Sequence, residues 1–185
     1  MNTDQFGFLP EAAPEGADHG GPLAAAAASP MADLKPVGMG QIVMARGSAV
    51  LTAVLGSCVA VVLHCRRRGV GAVAHVVLPD SAGRAGPAGK FADTAVPAML
   101  TQLAAAGIQP EELYARLVGG ASMFGSSMPL QVGSANAEAV CRALTAAGIP
   151  LTRQDVGGSK GRRIRFHCDT GILVVEVLGQ VPHTL

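Results

Sequence analysis

VLTAVLGSCVAVVLHCRRRGVGAVAHVVLP, Val50 to Pro79, is the stretch on which the fold turns. It reads as strand segments, VLTAVL, VAVVLHC and GVGAVAHVVLP, with Gly56-Ser57 between the first two and Pro79 closing the third. RRRG makes a hairpin turn whose charges are solvated. A turn near residues 66 to 69 sets position 75 opposite positions 59 to 61 if the strands pair antiparallel. Burial explains a cysteine deep in such a strand. It does not explain Cys58, which sits where the chain has just bent.

Working outward, the segment before this region is Ala, Gly and Pro rich, as in EAAPEGADHGGPLAAAAASP. It has no amphipathic period and too little apolar surface to offset its ordering entropy, so residues 1–35 are expected to be a disordered tail and 36–185 a single domain. Ahead of Val50, QIVMA reads as a short strand. Downstream, DSAGRAGPAG is a polar loop of the kind that lies over sites. Two helical segments follow, DTAVPAMLTQLAAAGI with Asp93 as expected cap and SANAEAVCRALTAAGI with Ser134 or Asn136. Each ends in a Gly-Ile stop. LYARLV, LTRQDV and the pair RRIRFHC and ILVVEVL complete the strands. The expected class is α/β in the α+β sense, a layered structure richer in strand than in helix.

Composition narrows the function. Hydrophobic residues make up 49% and charged residues 15%, which suits a compact soluble domain. Net charge is +1 and aromatics are 3%, so no basic, aromatic-studded nucleic-acid surface is expected. The apolar runs are too short for membrane spans, and the first basic residue is Lys35, which leaves no basic start for a signal peptide. The four cysteines therefore read as reduced thiols in the cytoplasm.

Their environments differ. Cys141 lies on the helical stripe Ala137, Val140, Cys141, Leu144, and Cys168 continues the alternation Ile164, Phe166, so both are expected inside. Cys65 ends an apolar strand. Cys58 alone is lifted to a surface by a turn. No cysteine pair has zinc-finger spacing, so no metal is expected.

A nucleophilic cysteine needs a base, because only the thiolate attacks. His19 is in the tail, His183 is near the end, His167 alternates outward, and His64 is about 20 Å from Cys58 along an extended strand. His75 is the histidine that antiparallel pairing returns to Cys58. A satisfied core histidine is the competing reading of the same residue. Thr52 shares parity with Cys58 and can join them only if the chain doubles back at Gly56. Ser57 is a competing nucleophile but lacks the G-x-S-x-G elbow. Gly119 and Gly120, in GGASMF, could present bare backbone N–H groups to a substrate or simply make a tight turn. DVGGSKGRR does not have phosphate-loop spacing.

LTAVLGSCVAVVL, GAVAHVVLPDS, GKFADTAV, LVGGASMF, VGSANAEAV and DVGGSKGRRIRF, in this order, resemble the chemoreceptor glutamine deamidase family, CheD, over most of the chain outside the tail. The resemblance implies hydrolysis of the side-chain amide of selected glutamines in methyl-accepting chemotaxis receptors. It implies a cysteine, a histidine and a threonine at Cys58, His75 and Thr52, with Ser57, Gly119 and Gly120 as substrate-positioning candidates and no cofactor. It also implies a β-sheet sandwich flanked by helices, resembling cysteine-hydrolase toxins that deamidate host proteins, and a CheC-type phosphatase as a further partner. A non-enzymatic adaptor of such a phosphatase is the alternative function, and transglutamination or thiol proteolysis would use the same residues.

Overall fold

β4 (Val59–Cys65) and β5 (Val70–Val76) are buried at every position, and the arrangement of layers explains why. In the computed structural model, which describes residues 33–122 and 131–185, they sit inside a five-stranded sheet covered on both faces. One face meets two helices and the other meets a second sheet. A strand buried on both sides needs apolar residues at successive positions, not alternation. That is the origin of the VAVVLHC run.

The buried sheet also holds β2 (Ile42–Arg46), β6 (Tyr114–Gly119) and β7 (Leu151–Val156), in the order β2-β5-β4-β6-β7. The second sheet runs β1-β3-β8-β9-β10, from β1 (Leu34–Pro36), β3 (Val50–Leu55), β8 (Arg162–His167), β9 (Leu173–Val177) and β10 (His183–Thr184). It shows the alternation expected of a sheet with one covered face. On β8, Ile164 and Phe166 are buried while Arg163 and Arg165 point outward, Arg165 toward Glu176.

Two apolar layers result. Val59, Val61, Leu63, Ala72, Ala74 and Val76 pack under helices α1 (Ala92–Ala105) and α2 (Val132–Ala146). Ala60, Val62 and Val73, from the opposite face of the same strands, pack against Leu51, Leu55, Ile164 and Phe166 of the second sheet. The fold is α+β, two stacked sheets with both helices on one outer face, as the sequence led us to expect.

The strands VLTAVL and VAVVLHC, neighbours in sequence, belong to different sheets. Gly56 to Cys58 is therefore the crossing between layers, not a hairpin within one. All described residues fall in one compact unit, Met31–Leu185. The tail expected over residues 1–35 lies outside the described residues up to 32, and its last two positions are not tail. Leu34 and Lys35 belong to β1, pairing in parallel with Val50 and Leu51.

The helix starts also differ from expectation. Asp93 lies inside the first turn of α1, where its carboxylate accepts hydrogen bonds from the Ser81 N–H at 3.0 Å and the Ser81 hydroxyl at 2.8 Å. It fastens the Asp80–Gly89 loop instead of capping the helix. α2 begins at Val132, two residues before Ser134, and the Asn136 side chain is occupied elsewhere.

Candidate active site

The β4–β5 register is Val59↔Val76 and Ala60↔His75, within the window that the hairpin argument gave. His75 shares its face with Val73, and Cys58, two residues before Ala60, packs against the same inter-sheet layer. The thiol and the imidazole are thus diagonal cross-strand neighbours, a separation that a ring side chain spans. Cys58 is half-buried, at the edge of the layer, and His75 is 4% exposed.

The imidazole is held in one orientation. Its Nδ1 lies 3.0 Å from the Val37 carbonyl oxygen. A carbonyl only accepts, so Nδ1 carries the proton and Nε2 carries the lone pair. Nε2 is buried and has no hydrogen-bond partner among the described residues. A buried polar atom left without a partner is costly in a purely structural histidine. It is what a general base waiting for a proton requires.

Burial pushes the Cys58 thiol above its ordinary pKa, with its own backbone amide pulling the other way. The thiol therefore holds its proton more firmly than a free cysteine does, and any attack by its sulfur requires a base to take that proton. At neutral pH iodoacetamide is expected to label Cys58 first. Cys65 and Cys168 are buried, and burial pushes the Cys168 thiol up to about 11. Cys141, expected inside the core, is half-buried on α2 and packs against that core, and its thiol too is raised by burial. In His75→Ala, Cys58 must ionise unaided, so its labelling rate should still be climbing at pH values where an ordinary thiol's has levelled off. Peptide mapping of the labelled protein across pH checks this; equal labelling of all four thiols would overturn it.

The bend that presents Cys58 is braced from two sides. The Gly120 amide donates to the Cys58 carbonyl at 2.8 Å, and the Ala121 amide to the Gly56 carbonyl at 2.8 Å. Gly119 has φ +116°, and a Cβ there would sit 2.3 Å from the Cys58 carbonyl oxygen. Only glycine allows that approach. The Gly119–Gly120 pair thus grips the backbone of the bend, and the Gly120 amide is already engaged. The rest of that motif, from Met123 to Phe124, lies outside the described residues. From the other side, Asn136 of α2 is fully buried and donates its amide to the Ser57 carbonyl at 3.1 Å and the Val77 carbonyl at 3.0 Å. Ser57 enters the site through that carbonyl.

Thr52 is placed differently from the other two. Its strand neighbours Leu51 and Ala53 point into the inter-sheet layer, so its side chain lies on the other face of β3. Among the described residues, neither ring nitrogen of His75 bonds to Thr52. The connection runs through main chain: the Val37 amide donates to the Thr52 carbonyl at 2.8 Å, and the Val37 carbonyl accepts from His75. His75 is also fixed along its backbone, with its amide on the Gln41 carbonyl and its own carbonyl on the Gly40 amide. The 80–89 loop presses on that turn, since Gly89 packs closely on the Gly40 and Gln41 carbonyls.

The sequence profile of the family described as CheD chemotactic sensory transduction matches residues 77–177. Chemoreceptor glutamine deamidase CheD of Thermotoga maritima is 42% identical over 146 residues, covering 78% of this chain and 92% of that protein. This chain belongs to the CheD family. Chemoreceptor glutamine deamidase CheD of Halalkalibacterium halodurans is 39% identical, covering 81% of this chain and 97% of that protein. The probable chemoreceptor glutamine deamidase CheD of Symbiobacterium thermophilum is 41% identical over 82% of this chain. Among solved structures, YlmD from Geobacillus stearothermophilus overlays with a TM-score of 0.40 and 18% identity, over 69% of this chain and 58% of that one.

Two contributors to this CheD site carry no signal in the sequence. Val37 acts through its carbonyl, which any residue has, so only the tertiary placement of β1 reveals it. Asn136 looks like a helix cap because it stands near the start of α2. Asn136→Ala would strip the donor from two partly buried carbonyls, at about 1–3 kcal/mol of stability. A displaced nucleophile can cost about a hundredfold in rate. We expect kcat to fall about 10–100-fold with KM little changed, read by steady-state ammonia release alongside a thermal melt.

Proposed function

We propose that this chain hydrolyses the side-chain amides of chemoreceptor glutamines to glutamates, with Cys58 as nucleophile and His75 as base and acid. The observation that carries the reading is the buried Nε2 of His75, unpartnered and on the face it shares with a half-exposed thiol. The names of its CheD relatives supply the substrate class.

The chemistry follows from the geometry. Nε2 takes the proton of Cys58 as the sulfur attacks the glutamine Cδ. The Cys58 amide, which faces its own sulfur, is the donor nearest the oxyanion that forms. The Gly120 and Ala121 amides already serve the bend, so Gly119 and Gly120 act on the thiol's position and not on the substrate directly. Protonated His75 gives its proton to the departing nitrogen, ammonia leaves, and a thioester remains. His75 then deprotonates water, whose oxygen attacks the thioester carbonyl. The Cys58–acyl bond breaks, glutamate forms and the thiol recovers its proton. Thr52 supports the imidazole through the main chain of Val37. Reduced thiols fit a cytoplasmic setting, and among the described residues no helix is long and apolar enough to cross a membrane.

An adaptor that only bound a CheC-type phosphatase would have no use for a buried, unpaired base. Mass spectrometry of a receptor cytoplasmic fragment, reading the amide-to-acid mass gain at each glutamine together with ammonia release, tests the enzyme reading. No conversion of any receptor glutamine by wild type, alongside tight binding of such a phosphatase, would favour the adaptor.

A further inference from the structure

At the far end of the inter-sheet layer, about 20 Å along β4 from Cys58, lies a cleft of about 300 Å³ that the deamidation reading does not use. Its lining includes His64, Arg66, Arg116, Thr170 and Gly171, with Thr184 and Leu185 at the other wall, and no Asp or Glu side chain is among the lining residues. Arg116 is half-buried on β6, its guanidinium donating to the Gly171 carbonyl. Directly opposite it on β7 is Arg153, and like charges so placed repel. Arg67, Arg68, Arg162 and Arg165 each have a carboxylate within 4.0 Å. Among the described residues, Arg66 and Arg116 have none.

His64 completes the set. It is 4% exposed, stands edge-on to Phe166 and donates Nε2–H to the Cys168 carbonyl at 3.0 Å. Its Nδ1 is therefore the unprotonated nitrogen, and it faces Gly171. A Cβ at position 171 would lie 2.7 Å from Nδ1 and 2.4 Å from Cε1, so the glycine keeps that ring edge clear. Burial, with Arg116 and Arg66 adding to it, holds the ring below its usual pKa against the pull of the Cys168 carbonyl. Asp169, next to Thr170 in the β8–β9 turn, is engaged by the Thr170 amide at 2.7 Å. A half-buried guanidinium at Arg116 and an exposed one at Arg66, neither with a carboxylate within 4.0 Å and both at the wall of a cleft that an imidazole edge lines, fit an anion that comes from outside the chain.

We propose that this cleft binds a tetrahedral oxyanion of the phosphate class, gripped by Arg116 and Arg66 with His64 as a third donor. Two guanidiniums match the oxygens of such a dianion in geometry as well as charge. A bound dianion raises the affinity of His64 for a proton, so binding takes up a proton and tightens as pH falls. The hydroxyls of Thr170 and Thr184 provide further neutral donors at the wall.

Calorimetry on the full chain at constant ionic strength tests the proposal, with inorganic phosphate, sulfate and O-phosphoserine as probes and chloride as the control. Saturable binding of one phosphate per chain is expected. Arg116→Gln should weaken it at least tenfold. Arg66→Gln, at an exposed turn position where folding is not at stake, should weaken it severalfold and decides the matter if the first variant misfolds. Sulfate remains a dianion across the range, so its binding in buffers of different ionisation heat isolates proton uptake by the protein. That uptake should vanish in His64→Gln. Binding of O-phosphoserine as well as phosphate would identify a phosphoryl group carried on another molecule as a ligand; binding of phosphate alone would identify the free ion. No saturable binding, equal displacement by chloride, or wild-type affinity in Arg66→Gln would overturn the site.

Discussion

Cys58→Ala is expected to abolish glutamine deamidation outright while the protein stays folded. The sulfur is half-buried at the rim of the inter-sheet layer, and every bond that braces the bend runs to main chain. Alanine keeps those bonds. The loss of one sulfur's packing costs about 1 kcal/mol or less, which moves Tm by about 2–4 °C at this size. Activity, by contrast, has no substitute nucleophile nearby: Ser57 is fixed through its carbonyl by Asn136, one residue off the face that meets His75. Mass spectrometry of a receptor fragment and a thermal melt read the two effects separately. A folded Cys58→Ala that still converts glutamine would sink the mechanism.

His75→Ala carries the second large effect. It deletes the base of the proposed mechanism, and general-base catalysis is worth about 10²–10⁴-fold. It also leaves the buried Val37 carbonyl without its donor, at about 1–3 kcal/mol, so a loss of activity alone could be blamed on instability. His75→Asn separates the two. Its side-chain amide reaches the position of Nδ1 and restores the bond to Val37, yet it offers no basic nitrogen. We expect Asn to recover most of the melting temperature and none of the rate. Thr52→Ala keeps the Thr52 carbonyl and the Val37 relay intact, so its rate should fall about tenfold at most. A Thr52→Ala variant as inactive as His75→Ala would show that the threonine hydroxyl, and not the Val37 carbonyl, orients the ring. Single-turnover rates of ammonia release measure all three.

The anion cleft stands apart from these tests, since Cys58, His75 and Thr52 are not among the residues that line it. Its residues were visible in the sequence only as dispersed basic positions. In the sequence, distance along the strand sets His64 aside as a base for Cys58, and RRRG reads as a solvated turn. That reading holds for Arg67 and Arg68, which pair with Glu112. Arg66 faces the cleft instead.

What the sequence determined by itself is local or pairwise. Unbroken apolar runs at Val59–Cys65 and Val70–Val76 require strands covered on both faces, and the turn between them fixes the register that brings His75 back to Cys58. Those facts need only period-two geometry and one hairpin. The family resemblance added the reaction. Tertiary structure alone decided which face of β3 meets the site, because the chain changes sheets at Gly56 and carries Thr52 into another layer, where side-chain parity no longer compares with Cys58. It also decided that a parallel strand at Leu34–Pro36 delivers the Val37 carbonyl to His75, and that a helical asparagine holds the bend at Cys58. Main-chain acceptors have no residue signature, and contacts between residues 38 or 79 positions apart depend on how layers stack. No local pattern encodes that.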